Sequence, residues 1–262
     1  MNNADAQKLS SQSSPNSSSA TDFFGLMDRL LRDRESFFDE IFSQQNLKSR
    51  LRWFLVSILL LGAFYGSTMG LMGIKNSWTT GLMQMLVSSV KVPVLFLLSL
   101  AVCFPVLYIV LVLMGAKLKF SQTLALILMA MSLNAVLLAS CAPIIIFFIV
   151  TGSDYHFIKL LHVCIFTFSG GWAMMSLWQG LYSMCEKANL YPRQAVQILK
   201  IWILVFGFVG TQMAWSLRPF VGSPSMEFQI IRQQTDGNFY SAVWHAVLSL
   251  GKEAQDQLKQ NN

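Results

Sequence analysis

Apolar residues are concentrated in five long stretches of the chain, and short polar segments separate these stretches. A transmembrane helix requires about 20 predominantly apolar residues, which each stretch supplies. The pattern therefore predicts an all-α fold, a polytopic bundle of five membrane-spanning helices. The predicted spans cover about residues 53–73, 92–114, 121–151, 158–184 and 198–217. A weaker helical stripe from Trp78 to Val90 predicts a separate short interfacial helix before the second span.

Polar segments at both ends divide the chain into four predicted parts. Residues 1–20 are rich in Ser and Asn, which predicts a disordered tail. Residues 21–47 place apolar positions at helical spacing opposite charged ones, as in an amphipathic helix on the cytoplasmic face or at the membrane interface. The five-helix transmembrane domain covers residues 48–218, and residues 219–262 are predicted to form a helical cap and tail on the far side.

Lysine and arginine residues are distributed unevenly between the two sides of the predicted bundle. The side of the N-terminus holds Lys48, Arg50, Arg52, Lys117, Lys119, Lys187, Arg193 and Lys200. The opposite side holds Lys75, Lys91, Lys159, Arg218 and Arg232. By the positive-inside rule, this bias predicts a cytoplasmic N-terminus and a C-terminus on the far side. The short loops favour a bacterial inner membrane over an endomembrane.

The composition supports a membrane location and limits the classes of partner. Hydrophobic residues make up 54% of the chain and charged residues 12%, and no acidic residue occurs between Glu40 and Asp154. A soluble core of that size would need solvated faces that carry both signs of charge. The net charge of +6 lies mostly beside the spans, where it indicates membrane topology. The expected partners are membrane lipids and other membrane proteins or further copies of the chain, with no nucleic acid.

Two sets of small residues recur at helical spacing in the first and fifth spans: Gly62, Gly66 and Gly70, and Gly207, Gly210 and Ala214. On a helix, such spacing lines up small residues on one face, where another backbone can approach closely. We predict that the fifth span packs into the glycine face of the first. Contact with another membrane protein, self-association and a pore-lining face are the alternatives.

Polar groups inside the spans are the next candidates for function. His162 is the titratable group that we place within a span, about one turn from its start, and Asn134 lies midway along the third span. Ionisable groups within the membrane usually mark transport or proton pathways. The simpler interpretations are a hydrogen-bonded histidine near the interface and an asparagine that bonds between helices. A polar substrate site and a proton-handling histidine are the alternatives.

A cluster of polar residues is predicted on the far side, beside Trp215: Arg218, Asp236, Asn238 and Tyr240. An ion pair between Arg218 and Asp236 would pin the cap to the membrane helices. The alternative is an edge on which a partner protein docks.

The sequence lacks the spacings that common catalytic and metal sites use. Its three histidines have no H-x-x-x-H or H-E-x-x-H partner, and G-x-S-x-G, Walker and paired-carboxylate motifs are absent. The four cysteines show no metal-ligand spacing. We therefore expect no catalytic, cofactor-binding or metal-binding residues and a protein that is not an enzyme.

The layout of the chain resembles that of the Yip1-domain membrane proteins: a polar cytoplasmic N-terminal segment, five clustered spans and a far-side C-terminus. The resemblance covers about residues 50–218 and rests on topology and hydropathy. The Asp-Leu-Tyr-Gly-Pro signature of that family is not present, and Asp22-Phe23-Phe24-Gly25 is only faintly similar to it. The resemblance implies non-enzymatic membrane organisation through contacts with other membrane proteins.

These observations favour a non-enzymatic integral membrane protein that acts as a scaffold or as a subunit of a membrane protein assembly. Its contacts would come from the N-terminal helix and the C-terminal cap. One alternative is a channel or transporter component for a small solute, using helices kinked at Pro105 and Pro143 and the polar Asn134. Another is a membrane-embedded regulator that binds a soluble partner through residues 21–47.

Overall fold

The described part of the chain is helical. The structure, a computed structural model, describes residues 23–32, 38, 41, 43, 47–75, 77–113, 119–187, 192–221, 240–241, 243–245 and 248. Its helices are α1 (Phe23–Arg32), α2 (Leu47–Gly70), a 3₁₀ helix (Leu71–Lys75), α3 (Trp78–Leu113), α4 (Phe120–Val150), α5 (Tyr155–Lys187) and α6 (Pro192–Ser216). No strand occurs in these ranges, so the predicted all-α class is confirmed for them.

Four stretches of the described chain are long and apolar enough to cross a membrane: Leu47–Ile74, Trp78–Leu113, Phe120–Val150 and Tyr155–Ser183. By length and composition they mark the chain as an integral membrane protein. Large apolar side chains also cover the outward faces of these helices, among them Leu60, Leu113 and Val150. Exposed apolar surface on this scale is unusual for a soluble protein, whereas contact with lipid chains requires it.

The five long helices close into a ring in which each packs mainly against two others. α2 packs against α3 and α4, α5 joins α4 to α6, and α6 returns to α3. Side chains meet inside the ring, where Tyr65 of α2 and Phe96 of α3 both lie against Phe166 of α5. α2, α3 and α4 alternate in direction through short connections and α4 contacts the 3₁₀ helix, so the α2–α3 and α4–α5 connections lie at the same end. We call this the turn end of the bundle.

α3 is one unbroken helix, where the sequence predicted a short interfacial helix and then a separate span. It contains Pro93 and Pro105 within its length. Its exposed apolar side chains recur every four residues in one continuous phase: Trp78, Leu82, Leu86, Val90, Val94, Leu98, Val102 and Val106. The prediction of two elements was therefore wrong. The polar residues that indicated the end of a span are buried on another face of the same helix.

The glycine face of α2 packs against α3. A Cβ atom on Gly66 would lie 2.9 Å from the Cα of Ser89, and one on Gly70 would lie 2.7 Å from the carbonyl carbon of Gln84. Two backbones can approach this closely only where glycine removes the side chain. α3, and not the predicted fifth span, thus occupies the groove, because it follows α2 after a short connection and folds back antiparallel to it.

The N-terminal helix α1 packs on the bundle at the end opposite the turns, where it contacts α4. Leu30, Phe38 and Ile41 are buried in the main hydrophobic core. On the outer face, the carboxylate of Asp28 and the guanidinium of Arg32 form an exposed ion pair of 2.7 Å. The sequence predicted an amphipathic helix here, and the chain's own bundle buries apolar residues of this segment.

Some predicted parts fall outside the described residues. The disordered tail predicted for residues 1–20 is one of them. Of the predicted cap, residues 219–262, the structure describes 219–221 and the helical residues 240–241, 243–245 and 248.

Candidate functional site

Three polar side chains of α3 are buried on one face of an otherwise apolar helix. Gln84, Ser88 and Lys91 follow one another at i, i+4 and i+7, and all three are buried, with only 6% of Lys91 exposed. At a rise of about 1.5 Å per residue, Lys91 lies roughly 20 Å along α3 from its start. A buried amide, hydroxyl or ammonium group is stable only when it is hydrogen-bonded. These side chains therefore need partners inside the protein.

The partners are two backbone carbonyl groups just beyond the end of α6. Lys91 Nζ donates to the carbonyl of Pro219 at 2.9 Å. Gln84 Nε2 lies within donating distance of the carbonyls of Pro219 and Phe220, at 3.2 and 3.1 Å. Ser88 Oγ donates to the carbonyl of Phe220 at 2.6 Å. Three side chains of one helix thus converge on two consecutive peptide groups of another part of the chain.

The two carbonyls need such donors because they lie outside any helix, at a partly buried position. α6 ends at Ser216, so these carbonyls have no following helical turn whose N–H groups could donate hydrogen bonds to them. Ser88 packs directly against Gly66 of α2. Because Ser88 also bonds to the carbonyl of Phe220, that residue lies at about the same height along the bundle as Gly66. From Gly66, α2 and the 3₁₀ helix continue roughly 15 Å further toward the turn end. Non-helical backbone that packed helices shield from water is tolerated only where protein groups satisfy it.

Apolar and ring contacts complete the site. Val221 is 8% exposed and belongs to the hydrophobic core, and Phe220 packs against that core. The ammonium group of Lys91 lies 5.7 Å from the centroid of the Phe220 ring, within the range of a cation–π contact. We call residues Leu217–Val221 the terminal segment and Gln84, Ser88 and Lys91 the donor triad.

The predicted far-side cluster is only partly described. The guanidinium of Arg218 stacks on the ring of Trp215, 3.6 Å from its centroid. Asp236 and Asn238 lie outside the described residues, so the predicted Arg218–Asp236 pair stays a prediction. Tyr240 lies beside α6, where its hydroxyl is 3.4 Å from Thr211 Oγ1.

His162 forms a second buried polar site, within the ring of helices. It is 3% exposed and shares a hydrogen bond of 2.9 Å between its Nδ1 and the hydroxyl of Tyr65. The two rings meet edge to face at 5.6 Å. Within the described chain, His162 Nε2 is buried without a hydrogen-bond partner. The predicted hydrogen-bonded histidine is present, but it lies in the bundle interior and its partner comes from α2.

Asn134 was predicted to bond between helices, and the structure gives that role to other side chains. Its Oδ1 is buried without a hydrogen-bond partner among the described residues. The polar contact between α2 and α4 is instead a hydrogen bond between the hydroxyls of Ser57 and Ser132. Asn134 Oδ1 and His162 Nε2 are therefore two buried polar atoms that have no hydrogen-bond partner among the described residues.

The small residues predicted to pack from the fifth span do not fill a groove. A Cβ atom on Gly207 or Gly210 would meet no atom of the described residues within 4 Å, and Ala214 is only half-buried. The contact that joins α6 to α3 is made elsewhere, by Trp202, whose Nε1 donates to the carbonyl of Cys103 at 3.0 Å. This face of α6 points away from the other described membrane helices, and Tyr240 approaches it at Thr211.

The donor triad is not predicted from the sequence, because Lys91 is assigned there to the loop before the second span. The signal was present, since Gln84, Ser88 and Lys91 share a helix face that the apolar stripe from Trp78 to Val90 does not occupy. No family model matches the chain, and no match is found among the curated proteins or the solved structures. The geometry of the described residues is therefore the basis for inferring a function.

Proposed function

We propose that this protein is a non-enzymatic integral membrane protein that acts as a scaffold or as a subunit of a membrane protein assembly. The observation that supports this is a contrast between two glycine sets. Gly66 and Gly70 are used inside the bundle, whereas a Cβ atom on Gly207 or Gly210 would contact none of the described residues. Small residues in membrane helices permit close packing of a neighbouring helix. In this proposal, a helix of another membrane protein or of a second copy packs on α6.

The donor triad supports the same function. Its three side chains bond to the chain's own peptide groups. Buried polar groups used in this way fix the shape of the bundle. A buried lysine with such a role favours a structural protein over one that guides a solute past the charge.

The topology belongs to the same proposal. α6 is taken as the fifth span, with the N-terminus in the cytoplasm and the C-terminus on the far side of a bacterial inner membrane. The assignment of α6 as a further span is supported by the two contacts that run α6 antiparallel to α3, from Trp202 against Cys103 to Pro219 against Lys91. Five clustered spans would also fit the resemblance to the Yip1-domain proteins, whose implied role is membrane organisation.

Extraction in mild detergent, followed by measurement of the mass of the protein complex, tests this function. We expect a complex heavier than one chain, and we expect Gly210→Leu to reduce it to the mass of the single chain without loss of thermal stability. Gly171→Leu is the matched control, because it adds the same side chain in open space on α5. A wild-type protein that is a uniform monomer without a partner would refute the proposal.

A component of a channel or transporter is the second candidate. It is favoured by the buried atoms Asn134 Oδ1 and His162 Nε2, which have no hydrogen-bond partner in the described chain. Unsatisfied polar groups of this kind are rare in native interiors, and within membranes they often belong to a solute or proton path. Flux into liposomes that contain the purified protein tests this candidate. Transport that Asn134→Leu abolishes would favour it, and absence of flux in the wild type would exclude it for the solutes tried.

A further inference from the structure

The terminal segment connects the membrane helices to everything that follows in the chain. Lys91 and Pro219 are 128 residues apart in sequence, so their contact forms only in the folded protein. Four hydrogen bonds from the donor triad hold two consecutive carbonyls, those of Pro219 and Phe220. The course of the chain beyond Val221 therefore starts from a place that α3 determines.

Lys91 makes the strongest of these contacts. Its bond to Pro219 joins an ammonium donor to a carbonyl at 2.9 Å, and bonds with an ionised donor are stronger than neutral ones. The same ammonium group also faces the ring of Phe220. The bonds from Gln84 are longer, and one amide nitrogen serves both carbonyls. Loss of Lys91 should therefore loosen the terminal segment more than loss of Gln84.

We propose that the donor triad is a latch, with Lys91 as its main positioning residue, and that it sets where the C-terminal part of the chain begins its path to a partner. Lys91 does not itself touch the partner in this arrangement. The link to a partner rests on the proposed function, with the added premise that residues after Val221 take part in assembly. Its effect on the position of the terminal segment is independent of any partner.

Labelling of a cysteine at the terminal segment tests the latch. Val221→Cys is introduced into the full-length chain after the four native cysteines are replaced by alanine, and the rate of reaction with a water-soluble maleimide is measured in membranes opened on both faces. We expect Lys91→Met to raise the rate on the order of ten-fold, equivalent to about 1.4 kcal/mol. Lys91→Arg should keep the rate low, because arginine also donates. Lys159→Met is the control for loss of a lysine elsewhere.

A second variant shows whether faster labelling reflects loss of the Lys91 bond or a general loss of folding. Ser88→Ala with Gln84→Leu removes the neutral donors and leaves the charge in place, and we expect a smaller rise in rate. Rates unchanged in both this variant and Lys91→Met would overturn the latch. Faster labelling together with a lost complex supports the whole inference. Faster labelling with an intact complex refutes the link to assembly. A wild-type chain that forms no complex refutes the proposed function, while its labelling rates still decide the latch.

Discussion

Alanine at single glycines of α2 should cause a loss of stability that follows the local distance between α2 and α3. A Cβ atom at Gly66 would lie 2.9 Å from the Cα of Ser89, which is backbone and cannot rotate away. At Gly62 the nearest atom is Cγ of Pro93 at 3.4 Å, an ordinary contact. The same substitution should therefore be disruptive at one position and tolerated one turn earlier.

The magnitude follows from the geometry at Gly66. Relief of the contact requires α2 and α3 to separate by at least about 0.5 Å, and overpacking of this kind costs about 1–3 kcal/mol. The better helix propensity of alanine returns about 0.5–1 kcal/mol. We expect Gly66→Ala to lower the free energy of unfolding by about 1–2 kcal/mol and Gly62→Ala, which gains helix propensity without a clash, to raise it by about 0.5–1 kcal/mol.

Unfolding in mixed micelles by sodium dodecyl sulfate, followed by tryptophan fluorescence, measures these differences, since the chain contains seven tryptophans. Gly210→Ala is the control, because its Cβ would meet open space. Equal stability of Gly66→Ala and Gly62→Ala would show that α2 and α3 are not in backbone contact at Gly66, and the reasoning would fail.

Three further substitutions test contacts elsewhere in the bundle. Trp202→Phe removes the indole donor to α3 and should cost about 1 kcal/mol in the same titration; no change would argue against that bond. Tyr65→Phe leaves His162 Nδ1 without its partner and should cost about 1–2 kcal/mol, whereas an unaffected midpoint would contradict the buried pair. A Cβ atom on Gly180 would lie 2.5 Å from Cε1 of Phe38, so Gly180→Leu should displace that ring. Residues 21–47 should then be cleaved several-fold faster by protease while the spans stay folded, and unchanged cleavage would refute the contact.

The sequence predicted the positions of the helices along the chain better than it predicted which groups pack against them. Long apolar runs located α2 to α5, because length and hydropathy are local properties. α3 was divided in two because Lys91 is expensive to bury alone, and its partner, the carbonyl of Pro219, is 128 residues away. A stabilising group at such a distance leaves no local pattern. The continuous apolar stripe of α3 is the signal that predicts one unbroken helix in spite of the charge on Lys91.

The candidate sites show the same limit. Glycine spacing in α2 predicted a close helix contact, but it does not say which helix makes it, and the short connection to α3 was the better guide. Gly207 and Gly210 have similar spacing, yet a Cβ atom on either would contact nothing in the part of the chain that the structure describes. His162 was predicted near an interface from its place in the span, and its burial depends on Tyr65 of another helix. The apolar residues of the N-terminal segment were identified from their helical spacing, and Leu30, Phe38 and Ile41 among them lie in the core.

The long separation between Lys91 and Pro219 has a consequence for biosynthesis. A membrane chain is made from its N-terminus, so α2 and α3 can pair through their glycines as soon as both have been inserted. The polar face of α3 then stays without its carbonyl partners until the last helix has entered and the terminal segment has followed. The donor triad is thus completed only by a nearly full-length chain. A chain cut before Leu217 would leave a lysine, a glutamine and a serine of α3 without these carbonyl partners, and unsatisfied polar groups in a membrane helix are the kind of feature that quality-control proteases and chaperones of the membrane can recognise.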